Sequence, residues 1–253
     1  MSGVHAHALH YHGHSPLHRL APHVKLIALL GFVGAVVATP AEAVWAFGIH
    51  AAVLATAVGL AELPLGFFFR RLSIEIPFVV FALAMPFVGS GPDVMVGPLS
   101  LSVAGIWGAW NVLAKATLSV GASVVLSSTT EVADILAGFD RLRSPRILTA
   151  IAGFMIRYLE VVAGEVQRVR TAIAARLGDQ RRLGEAAALA SVSGTMFIRS
   201  YERGERVHHA MLARGYSGSM PRMGEEPATV RWVEAAAGLA VAWSVALTAL
   251  LSS

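Results

Sequence analysis

Residues 144–179 read SPRILTAIAGFMIRYLEVVAGEVQRVRTAIAARLGD, and whether this stretch crosses a bilayer or lies outside it decides the fold. Ser144-Pro145 is a favourable cap and first-turn pair, which predicts a helix running to Gly178. Ile147, Ile151, Phe154, Tyr158 and Val162 recur at helical spacing, with Arg157 and Glu160 falling among them and Glu165, Arg168 and Arg170 following. A helix of that pattern is amphipathic and not a span. Two covers are open to its apolar face: a small soluble core, or an inner leaflet whose headgroups take the arginines.

The flanks share this character, for fourteen arginines lie between Arg141 and Arg222. Upstream, STTEVADIL (128–136) reads as a helix start with Thr129 or Thr130 as cap and acids in the first turn. Downstream, GEAAALASVSGTMFIRSYERGERVHHAMLARGYSG predicts a helix from about 184 to 215, roughly 45 Å long at 1.5 Å per residue. Glu202, Arg203, Glu205 and Arg206 read there as ion pairs on the helix face or between helices.

The remainder of the chain is membrane. Of 253 residues 55% are hydrophobic and 14% charged, against a charged fraction of about 25% in soluble domains. There is no cysteine, which excludes disulfides and thiolate metal sites. A span takes about 20 apolar residues, and stretches 24–39, 43–61, 73–90, 103–127 and 231–251 qualify or come close, separated by Thr39-Pro40, Pro64 and SGPDVMVGP. The loops near Pro40 and from Ser90 to Ser102 lack Lys and Arg, whereas Arg19, Lys25, Arg70 and Arg71 flank the other ends. By the positive-inside rule the N-terminus, the loop 62–72 and the arginine-rich insertion are cytoplasmic. The expected organisation is therefore a leader 1–23, four spans within 24–127, a cytoplasmic region 128–228 and a last span within 229–253. KLIALLGFVGAVVATPAEA ends like a signal-peptidase site at Ala41-Glu42-Ala43, but a second apolar run starts at Val44 and the segment is kept as a membrane helix.

Polar residues inside these spans are functional candidates by default. His50, Glu75, Asn111 and Lys115 are the set, with Lys115 expected to reach towards Glu75 or the interface ahead of lining an ion path. In the leader, His5, His7, His10, His12 and His14 have the alternation of a metal-binding tract. Their cytoplasmic side makes them a cytosolic metal acceptor or sensor, or simply a polar leader.

Each of the two long helices ends in a small residue beside one arginine: Ala174-Ala175-Arg176, and Ala213-Arg214-Gly215. Such an end lets another surface approach and lets the guanidinium enter an acidic pocket. It equally suits the helix dipole, with Gly215 as a common helix-ending residue.

SPLHRLAPHVKL, the four spans, the run from SSTTEVADIL to RTAIAARL, RSYERGERVHHAMLARGYSG and a last span together resemble the transmembrane T component of energy-coupling factor (ECF) transporters, in its cobalt and nickel CbiQ branch. The resemblance covers essentially the whole chain. It implies an all-α polytopic protein of about five membrane helices plus cytoplasmic coupling helices, in the bacterial inner membrane. It further implies docking on two ABC-type ATPase subunits, which form a homodimer and bind ATP and Mg, and on a small membrane subunit that captures cobalt or nickel. The docking motifs fall on Ala175, Arg176 and Leu177 and on Ala213, Arg214 and Gly215, each arginine meeting a carboxylate-lined groove. Leu177 departs from the commoner glycine, which stands one position later at Gly178.

The chain lacks GxxxxGK[ST], HExxH and GxSxG, so no catalytic residue is assigned and energy must come from a partner. The rival reading is a self-contained divalent-metal permease using the N-terminal histidines with His50 or Glu75. A third is a scaffold whose basic helices bind anionic lipid. No nucleic-acid motif accompanies the arginines.

Overall fold

The computed structural model describes residues 15–89, 92–96, 99–177 and 182–217, apart from 16 and 19, together with positions 240, 243 and 247. These fall into two units, one of residues 15–141 with the 240–247 positions and one of residues 142–217.

The first unit is a helix bundle. α1 (Pro22–Ala38) opens on a proline, whose fixed φ and missing N–H suit a first turn. It stops at Thr39, whose hydroxyl bonds back to Ala35 O at 2.9 Å ahead of Pro40. α2 (Val44–Leu60) ends in a Schellman turn: Glu62 has φ +54°, its N–H reaches Gly59 O at 3.0 Å, and Leu63 N–H reaches Val58 O at 3.4 Å. Val58 and Leu63 then join one apolar cluster, as that turn favours.

The third span departs from the sequence expectation. Residues expected as the loop 62–72 form α3 (Leu65–Leu72), followed by a 3₁₀ turn (Ser73–Glu75) and α4 (Ile76–Val88). Pro64 provides the helix start, and LGFFFRRL buries Phe68 while Arg70 and Arg71 sit in the last turn, where cations complement the carbonyl end. Helix thus begins eight residues earlier than the span read from 73. The loop after α4 also holds structure: β1 (Asp93–Val96) pairs antiparallel with β2 (Leu99–Ser102), Val96 opposite Leu99.

α5 (Val103–Thr129) is the hub, 27 residues or about 40 Å long. The Ser102 side chain caps it by accepting from Gly105 N–H at 3.3 Å. α1, α2, α3 and α4 all pack on it. Phe32, Ala35 and Val36 of α1, Phe47 of α2 and Leu118 form one core cluster; Val58, Ala61, Leu63, Phe68, Val124 and Val125 form another. α6 (Val132–Arg141) returns onto α1 at Gly138, where a Cβ would stand 2.8 Å from Leu26 Cδ1. Thr129 and Thr130, expected to open α6, close α5 instead: the Thr129 hydroxyl bonds Val125 O at 2.9 Å. The expected last span lies largely outside the described residues; positions 240, 243 and 247 are helical, and Trp243 lies against Gly34, 3.3 Å from where its Cβ would be.

The second unit comprises α7 (Arg146–Leu177) and α8 (Arg182–Ala213), close to the helices expected at 144–178 and 184–215. The molecule is an all-α polytopic membrane protein, with the β1–β2 hairpin as the one sheet among the described residues. Among the described residues three helical stretches, 65–88, 103–129 and 146–175, are long and apolar enough to cross a membrane, and α1 and α2 are shorter apolar helices.

Candidate functional site

α7 and α8 touch through a restricted zone. Arg203 of α8 bonds Glu165 of α7 at 3.2 Å, both partly buried, which realises the interhelix ion pair. Beside it a groove is lined by Phe154, Met155, Tyr158, Val162, Ser200 and Gly204, with the Phe154 and Tyr158 rings stacked at 6.4 Å. Arg206 and Glu202 make the on-face pair, at 3.9 Å and well exposed. Around this zone Ile147, Met155, Leu159, Phe197 and Tyr201 are all exposed.

The chain geometry orients the pair. Residues 178–181 join α7 to α8, so at about 3.8 Å per Cα step α8 starts within about 19 Å of the end of α7. The contact zone lies about 25 Å back along α7 and about 30 Å along α8. Arms of those lengths with ends that close are within about 40° of antiparallel. The two C-terminal ends therefore point apart, and Arg176 and Arg214 stand on the order of 40 Å from one another.

At the α8 end the cap is explicit. Gly215 adopts φ +83°, its N–H bonds Leu212 O at 3.0 Å, and Tyr216 N–H bonds Met211 O at 3.0 Å, a Schellman turn with Arg214 as the C-cap. Ala213, Arg214 and Gly215 are exposed. A Cβ at Gly215 would meet nothing within 4 Å, so its requirement is conformational. Gly215→Ala should accordingly cost about 1–2 kcal/mol and loosen the turn presenting Arg214, read as faster amide exchange confined to the end of α8. At the other end Ala175 is exposed; Arg176 and Leu177 close α7, and their side chains lie outside the described residues.

Inside the bundle the polar candidates separate. Glu75 is buried and accepts from Thr117 Oγ1 at 2.6 Å. Lys115 does not meet it: its ammonium donates to Val37 O at 2.9 Å. Of the two expected reaches of Lys115, towards Glu75 or the interface, the one to Glu75 is not made, because α1 ends beside Lys115 and offers a last-turn carbonyl with no intrahelical donor. His50 is fully buried, its Nδ1–H donating to Ala46 O at 2.6 Å and its ring edge-on to Phe32 at 5.9 Å. His50 Nε2 and Asn111 Oδ1 are buried without a hydrogen-bond partner among the described residues. The leader positions His5, His7, His10, His12 and His14 lie outside the described residues. Among those described, no group of three or more His, Asp or Glu could hold a metal.

Sequence reasoning treated Lys25 only as a charge that orients the chain. In the structure it is buried and ties the start of α1 to the end of α5, with Thr129 O at 2.8 Å and Thr130 Oγ1 at 3.1 Å. Arg71 reaches the same helix end at Ser128 Oγ, 3.5 Å away, while lying 4.3 Å over the Phe67 ring. The scarcity of lysine was the available signal, since Lys25 and Lys115 are the only two.

With this geometry in place, similarity to known proteins narrows the reading. Residues 13–224 match the family model CbiQ, described as cobalt transport protein. The cobalt transport protein CbiQ of Rhodobacter capsulatus is 28% identical over 204 residues, covering 81% of this chain and 82% of that one. The energy-coupling factor transporter transmembrane protein EcfT of Bacillus selenitireducens is 26% identical over 230 residues, 83% of each chain. An uncharacterized protein of Methanocaldococcus jannaschii is 25% identical over 248 residues, 93% of this chain and 81% of its own length.

Proposed function

The chain belongs to the CbiQ family of cobalt transport proteins, and from that premise we propose that it is the non-catalytic energy-coupling transmembrane component of an ATP-driven importer. The observation that carries this reading is the α7–α8 pair: two 32-residue helices braced by Arg203–Glu165, with an arginine at each diverging C-terminal end. Two docking points on the order of 40 Å apart suit two copies of one ATPase, each gripping one end. Closure of the ATPases on ATP and Mg would then draw on both ends at once, and the brace would pass the movement on instead of absorbing it.

In this reading the region 128–228 is cytoplasmic, the spans lie in the bacterial inner membrane with the N-terminus inside, and a small membrane subunit captures the cargo. Cobalt is the cargo named for the family and for the Rhodobacter relative; nickel is the alternative. α7 is apolar enough to cross a membrane, yet Arg157, Glu160, Glu165, Arg168 and Arg170 along it favour a helix that is wet on one side.

The test is reconstitution. The chain co-expressed with a CbiQ-type importer's ATPase and substrate subunits should purify with them at fixed stoichiometry, and liposomes should accumulate radiolabelled cobalt only when all subunits and ATP are present. Cobalt uptake by the chain alone would overturn the coupling role in favour of a self-contained permease.

A further inference from the structure

Of the chain's 20 lysines and arginines only Lys25 and Lys115 are lysine, and the structure gives these two a reciprocal task. Lys25 on α1 caps the C-terminal end of α5, donating to Thr129 O at 2.8 Å and Thr130 Oγ1 at 3.1 Å, and also donates to His18 O, ahead of α1, at 3.3 Å. Lys115 on α5 caps the C-terminal end of α1, donating to Val37 O at 2.9 Å. The last carbonyls of a helix lack intrahelical donors and carry the negative end of its dipole, so each ammonium meets both needs of the opposite helix. Three rotatable donors on a flexible stem let Lys25 converge on three separate oxygens, which a planar guanidinium fork does less readily.

The two contacts lie about 20 Å apart along the pair, by 12 residues from Lys25 to Val37 and 14 from Lys115 to Thr129. Between them Phe32, Ala35 and Val36 pack with Leu118. Two fixed points and a packed seam oppose both sliding and rotation of α1 on α5. The Lys25 end is also where α6 sits: Gly138 lies against Leu26 and the backbone of Pro22 and His23, and Asp134 of α6 attracts the Lys25 charge. Movement reaching α6 therefore enters the pair at its Lys25 end.

We infer that Lys25 and Lys115 are positioning residues that lock α1 and α5 into one rigid arm, which carries movement arriving at α6 along the membrane bundle. The source of that movement rests on the coupling reading above; the clasp does not. The natural chain has no cysteine, so spin labels can be placed cleanly at exposed Leu30 on α1 and Ile106 on α5. In lipid nanodiscs the isolated chain should give one narrow label distance, unchanged in the complete transporter on adding ATP. Lys115→Met should broaden it, and Lys115→Arg should restore it by returning charge and donors. In the complete transporter Lys115→Met should keep subunit assembly and ATP hydrolysis while cobalt uptake per ATP falls at least tenfold. Lys25→Met should broaden the distance similarly, and if that variant does not fold Lys115→Met carries the test. A narrow distance in Lys115→Met, or a distance in the unsubstituted transporter that shifts with ATP, overturns the inference. Because the isolated-chain measurement needs no ATPase, it decides the clasp even if the chain captures no ATPase.

Discussion

Arg214→Glu is expected to abolish ATP-driven uptake while leaving the protein folded in the membrane. Arg214 is the exposed C-cap of α8, held in place by the Gly215 turn, so replacing it disturbs little of the fold itself. Its proposed work begins on docking, when the guanidinium leaves water for a carboxylate-lined groove. Truncating one member of such a desolvated pair costs about 2–5 kcal/mol, much of it from stranding the other charge; about 3 kcal/mol is already a hundredfold in affinity. Glutamate adds repulsion to that loss, so Arg214→Glu should exceed Arg214→Ala. Arg206→Glu is the control. Its partner Glu202 lies on the same helix face at 3.9 Å, both exposed, and losing such a pair costs no more than about 0.5 kcal/mol. Titrating the ATPase against the nanodisc-held chain, with uptake measured in parallel, separates the two. Normal transport by Arg214→Glu, or equal loss in Arg206→Glu, would remove the docking role of the α8 end.

The contrast between Arg214 and Lys25 also shows what local sequence carries. Ser144-Pro145 and the Ala-Arg-Gly end are readable because the forces that start or stop a helix act within about one turn. The apolar runs behind α1, α2 and α5 are readable because a bilayer demands length and hydropathy whatever the packing. Lys25 and Thr129 are 104 residues apart, and Lys115 and Val37 are 78 apart, so their pairing exists only once α1 lies antiparallel on α5. From the sequence Lys115 reads as reaching towards Glu75 or the interface, with nothing to say which acceptor it meets. The closer acceptor was a helix end, which no residue type announces. α3 escaped notice because Pro64 and Arg70-Arg71 read as loop punctuation, whereas here the proline starts a helix and the arginines finish it. The likeness of the whole chain to energy-coupling components was carried by the arrangement of motifs, while the brace between α7 and α8 needed coordinates.

Gly105→Ala should be the most destabilising single-methyl change in the bundle. A Cβ there would collide with the Met85 carbonyl and stand 2.8 Å from Pro86 Cα, backbone on both counts. Gly89 meets the same crossing, where its Cβ would lie 3.0 Å from Gly105 Cα. α4 and α5 thus touch main chain to main chain, the close approach that small residues permit between membrane helices. Pro86 sits at this crossing inside α4, where its ring fixes φ and leaves the backbone little freedom to turn aside. Neither helix can give way without parting, so the cost should sit at or above the top of the usual overpacking range, about 3 kcal/mol. Gly108→Ala is the matched comparison one turn along α5. Its Cβ would stand 2.7 Å from Met85 Cε, the free end of a flexible side chain that can turn aside, so about 1 kcal/mol or less is expected. Unfolding of both variants in detergent, followed by tryptophan fluorescence, gives the ordering directly. If Gly108→Ala proves as costly as Gly105→Ala, the α4–α5 crossing is not held by backbone contact, and the proximity of the two glycines to Met85 does not govern how these helices meet.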